Sequence, residues 1–240
     1  VTVQTNGRLL SRPENLEKLS AMPRKDAEFV IAIHGPDAAT HDLITRRQHS
    51  FDQTLAALDG VLALGYPVCA KVVLSKYNIA VLPETLDLLE THGVEEAIVA
   101  YPHAEEFPVD LMHEIMPDYG AVRKAVQEAV QHARHLRVFW ETIPFCVLPD
   151  TETRSRSIDL SLLENDLRSG GTFIEMTMQG DTIDWKQSRR EIKTHFHSCQ
   201  ECLLQKICEG AWAEYAEVHG ESGIQPVSDM AVVEALVDGL

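Results

Sequence analysis

Short apolar segments recur through the first part of the chain, and a helical pattern separates each from the next. Residues 29–33 and 68–74 are almost unbroken apolar runs, as expected of parallel strands that are covered on both faces. Between them, Phe51, Leu55 and Leu58 follow helical spacing. One strand and one helix together take roughly thirty residues, the size of a βα unit. This repetition predicts an α/β fold with a parallel sheet, either open or closed into a barrel.

Further strands are predicted at residues 1–4, 97–100 and 137–140, and further helices at 13–19, 83–93 and 122–130. The rhythm stops near Cys146. Residues 172–178 then alternate like one strand of a small hairpin, with a turn at Gln179-Gly180-Asp181. A short helix is expected around Trp212 and Tyr215. The chain is therefore expected to divide into a βα domain, 1–140, and a C-terminal region, 141–240.

The composition limits the classes of function. With 240 residues, 45% of them hydrophobic, the chain can build a sizeable core. A net charge of −16 argues against nucleic acid as a partner, and the apolar runs are too short to span a membrane. No GxGxxG or P-loop motif follows a predicted strand. The chain starts without Met and already in a strand pattern, so we expect a fragment of a longer, cytoplasmic protein.

Three of the five cysteines lie within ten positions, as Cys199, Cys202 and Cys208. A C-x2-C pair with a third thiol nearby presents several sulfurs to one metal, and soft thiolates favour zinc or an iron–sulfur cluster. Four of the residues between these thiols, Gln200, Glu201, Gln205 and Lys206, are polar, which is unlike a hydrophobic core. Five is an odd count, and three clustered thiols fit a reducing compartment with a metal better than a disulfide framework.

Polar residues follow four successive predicted strands. They are Thr5-Asn6-Gly7, His34-Gly35-Pro36, Ser75 to Asn78, and Tyr101-Pro102-His103. Each alone is typical of a turn. Ligands bind at the carboxyl ends of parallel strands, however, and these ends meet at one edge of a sheet. The recurrence therefore indicates a binding site.

Several of these segments together resemble a known superfamily. Residues 3–7, then Ala32 to Asp37 with His41-Asp42, then Ser50-Phe51-Asp52, resemble the middle of a radical S-adenosylmethionine (SAM) enzyme. The C-terminal cysteines, with Gly210, Trp212 and Tyr215, resemble the auxiliary-cluster (SPASM/twitch-like) segment of its peptide-modifying branch. The resemblance implies a partial six-stranded (β/α) TIM-like barrel without its first strands, followed by a small cluster-binding region.

The resemblance also implies a chemistry and a set of partners. In this superfamily a [4Fe–4S] cluster binds SAM, and reductive cleavage of SAM gives a 5′-deoxyadenosyl radical that abstracts hydrogen from the substrate. It implies a second, auxiliary [4Fe–4S] cluster, an electron donor such as flavodoxin or ferredoxin, and modification of a peptide or protein. The defining C-x3-C-x2-C motif and the following glycine-rich motif are absent, so this chain alone is expected to be inactive.

Four residues are candidates for binding SAM in this reading: Asn6, His34, Arg46 and Asn78. Arg47 is an alternative to Arg46, and for these arginines the start of a solvated helix is an alternative role. Ala32 stands where the superfamily often has a Ser that holds the methionine carboxylate. Asn78 could equally be a turn residue.

A fourth cluster ligand is needed beside the three C-terminal thiols. Cys146 is our choice, because it follows the last barrel strand beside Pro144 in a segment that can fold back. Cys69 lies within an apolar strand and is expected to be a core thiol. His195 and His197 flank the cluster, so a non-catalytic α/β module with a structural Cys3His zinc site is the alternative.

Overall fold

The structure is a computed structural model that describes residues 1–103, 107–158, 174–176, 182–184 and 191–238. The chain forms two compact units. The first comprises Val1–Pro102 and Lys124–Phe139, and the second comprises His103–Arg123 and Trp140–Leu240. Residues 103–123 thus pack with the C-terminal unit. The functional division into 1–140 and 141–240 stays a prediction.

The strands are β1 (Thr2–Thr5), β2 (Glu28–Ala32), β3 (Val68–Val73), β4 (Glu96–Ala100), β5 (Arg137–Glu141), β6 (Ile174–Met176), β7 (Thr182–Asp184), β8 (Lys193–Thr194) and β9 (Ala211–Trp212). The helices are α1 (Pro13–Ser20), α2 (Ala38–Thr45), α3 (Ser50–Ala63), α4 (Leu82–Thr91), α5 (Val109–Ile115), α6 (Tyr119–His132), α7 (Thr151–Ser155), α8 (Ala213–His219) and α9 (Met230–Asp238). Single 3-10 turns occur at Arg8–Ser11, Arg24–Asp26, Ile79–Val81 and His197–Glu201.

Strands β1 to β5 form one sheet in the order of the sequence. The first three pairings are parallel, with Val3 opposite Phe29, Phe29 opposite Val68, and Cys69 opposite Glu96. β5 joins beside β4, where the Arg137 N–H donates to the Glu95 carbonyl at 2.9 Å. Sequential order with helical crossovers is the topology of a (β/α) barrel. The predicted partial barrel is confirmed.

The two faces of this sheet differ in burial, against the expectation that both are covered. On β2, Phe29 and Ile31 are buried, whereas Val30 and Ala32 are half-buried. Ile31 lies on the side of the sheet that α3 covers. The Ile31 side chain and the side chain of Ala57, on α3, both lie next to the Cα of Gly7. One face of β2 is therefore buried, and the opposite face is only half-buried.

The second unit has a core of its own, formed by Phe145, Leu204, Val227 and Leu236. Its β8–β9 pair is antiparallel, with Lys193 opposite Trp212 and Thr194 opposite Ala211. The predicted hairpin is present as the antiparallel pair β6–β7. Its predicted turn at 179–181 lies outside the described residues. Within the described parts of the chain, no helix combines the length and apolar character needed to cross a bilayer.

Candidate metal centre

A 3-10 turn presents the C-x2-C pair. The Cys199 N–H donates to the Phe196 carbonyl at 3.1 Å, and the Cys202 N–H donates to the Cys199 carbonyl at 3.0 Å. The third thiol follows a second turn, in which the Cys208 N–H donates to the Leu204 carbonyl at 2.9 Å. Leu204 is buried in the core of the unit, which anchors both turns. The two short spacers between the thiols thus become tight turns.

Cys146 comes from a distant segment, and two arginines hold its loop. The loop turns where the Val147 N–H donates to the Pro144 carbonyl at 2.8 Å. Arg123 Nη2 donates to the Cys146 carbonyl at 2.7 Å and to the Gly223 carbonyl at 3.0 Å. Arg154 Nε donates to the Phe145 carbonyl at 2.9 Å. These charge-assisted bonds fix the backbone on both sides of the Cys146 Cα.

Four thiols line a single cavity in this unit. They belong to Cys146, Cys199, Cys202 and Cys208, and apolar side chains such as Phe145, Phe196 and Leu204 line the rest. All five cysteines of the chain carry free thiols. Cys69 lies in β3, in the first unit, and makes no part of this cavity. The thiols that the sequence selected as ligands therefore lie together, and the one selected as a core residue lies elsewhere.

Burial controls the acidity of these thiols. It raises the pKa of Cys146 to about 11 and that of Cys208 to about 12, and it raises the pKa of Cys199. At Cys208 a backbone N–H opposes this effect, since Gly210 donates to its Sγ at 3.4 Å. The Val227 N–H donates to Cys202 Sγ, also at 3.4 Å. Such donors stabilise thiolates bound to a metal. Metal binding here must release protons from buried thiols.

A buried lysine lies near Cys208, where its charge acts to lower the pKa of that thiol against the larger effect of burial. The Lys193 side chain is only 1% exposed, and its Nζ lies 3.7 Å from Glu209 Oε2 and 4.0 Å from the centre of the Trp212 ring. His103 also stacks on Trp212, with ring centres 4.0 Å apart. Sequence reasoning missed Lys193, Arg123 and Arg154 as parts of this site. Each stands in a polar or helical segment where a cation is ordinary, so only the fold brings them to the thiols.

The histidines of the zinc alternative lie in different places. His195 lines the cavity, and its Nε2 is 3.0 Å from the Cys208 carbonyl oxygen. His197 does not line the cavity, and its backbone N–H donates to the Glu221 carboxylate. Among the described residues, no set of three or more His, Cys, Asp or Glu side chains is arranged around a point that could hold a single ion. The choice between His195 and Cys146 as fourth ligand stays a prediction.

Two of the four candidate SAM contacts meet at the carboxyl ends of β2 and β3. Asn78 is buried; its Oδ1 accepts from the Ser75 N–H at 2.7 Å, and its Nδ2 donates to the carbonyls of Val73 and His34 at 2.9 and 3.1 Å. Asn78 therefore positions the His34 backbone. The His34 Nδ1 is buried without a hydrogen-bond partner in the described part of the chain, so this nitrogen is available to a ligand.

The other two candidates lie at turns. The Asn6 Oδ1 accepts from the Arg8 N–H at 3.2 Å, and the Asn6 carbonyl accepts from the Thr54 hydroxyl at 3.0 Å. Arg46 ends α2 with φ of 53° and is exposed. Asp42, on the same helix, accepts from the Phe51 N–H at 2.8 Å and so caps α3. Their role in SAM binding stays a prediction.

His41 makes the stability of the first unit depend on pH. It is 2% exposed, its Nδ1 accepts from the His34 N–H at 3.1 Å, and its ring packs against those of His34 and Phe51. Burial and the neighbouring His34 lower the pKa of His41 from 6.5 to about 4, although Asp42 acts in the opposite direction. Between these values the unfolded chain binds the proton and the folded chain does not.

The stabilisation from neutral His41 is therefore complete above pH 6.5 and is lost as the pH falls to about 4. We expect the free energy of unfolding to fall by about 3 kcal/mol over this interval because of His41 alone. The measurement is urea unfolding at several pH values for wild type and His41→Asn, whose Oδ1 can still accept from His34. Parallel pH curves for the two proteins would contradict the assignment.

Sequence comparison identifies a relative over part of the chain. No protein-family model matches. Over 93 residues the chain is 31% identical to the AdoMet-dependent heme synthase of Methanosarcina barkeri (strain Fusaro / DSM 804); the match covers 39% of this chain and 26% of that protein. The chain thus matches about a quarter of the length of this relative.

Structural comparison extends over nearly the whole chain. Streptococcus suis SuiB, solved with the precursor peptide SuiA, superposes with a TM-score of 0.57 at 15% identity, covering 95% of this chain and 57% of SuiB. The AdoMet-bound anSMEcpe superposes with a TM-score of 0.55 at 12% identity, covering 99% of this chain and 72% of that one. These likenesses show a shared fold.

Proposed function

We propose that this chain is part of a radical SAM enzyme and that Cys146, Cys199, Cys202 and Cys208 hold an auxiliary [4Fe–4S] cluster. The observation that carries the proposal is the meeting of four free thiols, from segments more than fifty residues apart, in one largely apolar cavity. A cluster with four thiolate ligands matches this donor set. When bound, such a fully ligated cluster would accept and pass on single electrons.

The protein side of the site is suited to an anionic cluster. Buried apolar side chains, including Phe145 and Leu204, line the cavity beside the partly buried thiols. The N–H groups of Gly210 and Val227 point at sulfur. Arg123 and Arg154 hold the Cys146 loop through its carbonyls. The N–H donors stabilise thiolate sulfur in a setting where burial disfavours an unpaired thiolate, and the two arginines keep the Cys146 loop in place.

For the first unit we propose SAM binding at the carboxyl ends of β1 to β3, with His34, Asn6, Arg46 and Asn78 around it. The buried, unpartnered His34 Nδ1 supports this, and Asn78 would act by holding the His34 backbone. Because the C-x3-C-x2-C motif is absent from this sequence, SAM cleavage requires residues of a longer protein that carry the first cluster. The expected product there is 5′-deoxyadenosine.

We propose a peptide or protein as substrate and a flavodoxin or ferredoxin as electron donor. The SuiB structure contains a precursor peptide, and this supports the choice of substrate class. The acidic surface, with a net charge of −16, disfavours nucleic acid. The competing proposal, a non-catalytic module with a Cys3His zinc site, is favoured by one observation, the position of His195 on the same cavity.

The test is the metal content of the chain after anaerobic purification and reconstitution with iron and sulfide. We expect about four iron and four sulfide per chain, broad absorption in the visible range, and an electron paramagnetic resonance signal after reduction. About one zinc per chain with no bound iron, even after reconstitution, would overturn the cluster proposal in favour of a zinc module. The Cys69→Ala variant serves as the control and should retain wild-type iron.

A further inference from the structure

We propose that Lys193 sets the reduction potential of the cluster at Cys146, Cys199, Cys202 and Cys208, by holding a buried positive charge beside Cys208. This inference rests on the proposed function, since it requires a cluster at that site. Lys193 is a tuning residue and not a ligand. A protonated lysine has no lone pair with which to bind iron. Its ammonium group acts on the cluster only through its electric field.

The fold leaves Lys193 little freedom to move. The β8–β9 pairing places Lys193 opposite Trp212, and the Nζ lies over the Trp212 ring at 4.0 Å. The adjoining residue pair, Thr194 and Ala211, continues the ribbon. Gly210, which precedes Ala211, brings its backbone against the Thr194 carbonyl and donates its N–H to Cys208 Sγ. Strand β8, which carries Lys193, is therefore held next to the segment that carries Cys208.

Two groups around the Lys193 Nζ interact favourably with a cation. Glu209 Oε2 is 3.7 Å from the Nζ, and the face of an indole ring attracts a cation. The lysine side chain is 1% exposed and that of Glu209 is 29% exposed. Water screens a buried charge weakly, so its field reaches the thiolates more fully than that of a surface lysine. Lys193 is thus a buried basic side chain in a chain whose net charge is −16.

The consequence concerns one-electron reduction of the cluster. A [4Fe–4S] core with four thiolates is anionic, and reduction adds one more negative charge, taken from the donor. A nearby cation stabilises the reduced state more than the oxidised state. Lys193 should therefore raise the midpoint potential, and Glu209 should lower it. Removing either charge gives shifts of opposite sign.

The experiment is a redox titration of the reconstituted chain, followed by electron paramagnetic resonance, with variants Lys193→Met and Glu209→Gln. At the potential where half of the wild-type clusters are reduced, we expect the ratio of reduced to oxidised cluster to fall roughly tenfold in Lys193→Met. It should rise in Glu209→Gln. The matched control is Lys206→Met, which removes the same charge from an exposed side chain nearby and should leave the ratio unchanged.

Each outcome has one meaning. If wild type binds no iron–sulfur cluster, the proposed function fails before Lys193 is tested. If wild type binds the cluster and Lys193→Met keeps both its iron and the wild-type potential, the tuning role is wrong. If Lys193→Met does not fold or loses iron, Glu209→Gln decides: a raised potential supports the role of the Lys193–Glu209 pair, and an unchanged potential overturns it.

Discussion

Replacing Cys146 by alanine is expected to remove the cluster or to leave an incomplete one. Cys146 is the one thiol of the cavity that does not belong to the C-terminal trio, and three thiolates leave one corner of a cubane without a protein ligand. We expect bound iron to fall by about half or more, with a matching loss of visible absorption. The measurement is iron and sulfide per chain after identical anaerobic reconstitution.

Two further variants separate a ligand role from a structural one. Cys146→Ser keeps the volume of the side chain but not its soft sulfur, and it should also lose iron. Cys69→Ala removes a thiol whose pKa burial raises to about 11, as for Cys146, from the other unit, and it should retain iron. If Cys146→Ala binds iron like wild type, Cys146 is not the fourth ligand, and His195→Ala becomes the variant to measure.

Gly210→Ala is expected to destabilise the second unit by roughly 3–5 kcal/mol. Gly210 has φ of +87°, and a Cβ at this position would lie well inside contact distance of the Thr194 carbonyl oxygen. The obstacle is backbone, which cannot rotate away as a side chain can. The β8–β9 ribbon would have to separate, and the N–H that Gly210 donates to Cys208 Sγ would move with it. Both unfolding in denaturant and iron content report the change.

Gly93→Ala is the matched control for backbone conformation. Gly93 has φ of +80°, close to that of Gly210, but a Cβ there meets no atom within 4 Å. We expect a cost of about 1 kcal/mol from the left-handed backbone alone. The difference between the two variants then measures the close approach of the strands. Equal costs would show that the ribbon yields easily and that Gly210 is needed only for its positive φ.

Periodicity and cysteine spacing predicted much of this molecule. The apolar runs around Ile31, Val72 and Val99 became neighbouring parallel strands, because burial of hydrophobic side chains acts on a local pattern that is visible in the sequence. The C-x2-C spacing became a 3-10 turn with Cys199 and Cys202 on one side of it. The expected burial of both sheet faces was wrong, because Val30 and Ala32, which alternate with buried Phe29 and Ile31, are only half-buried.

The sequence by itself determined the positions of the strands, the local turns and which residues have the chemistry to bind a metal. Only the tertiary structure decided which of them meet: that Cys146 lies on the same cavity as the terminal thiols, and that Lys193 packs on Trp212 rather than in solvent. The physical reason is range. Propensity and spacing act over a few residues, whereas the field of a buried charge depends on distances between segments that only the packed core of the unit establishes.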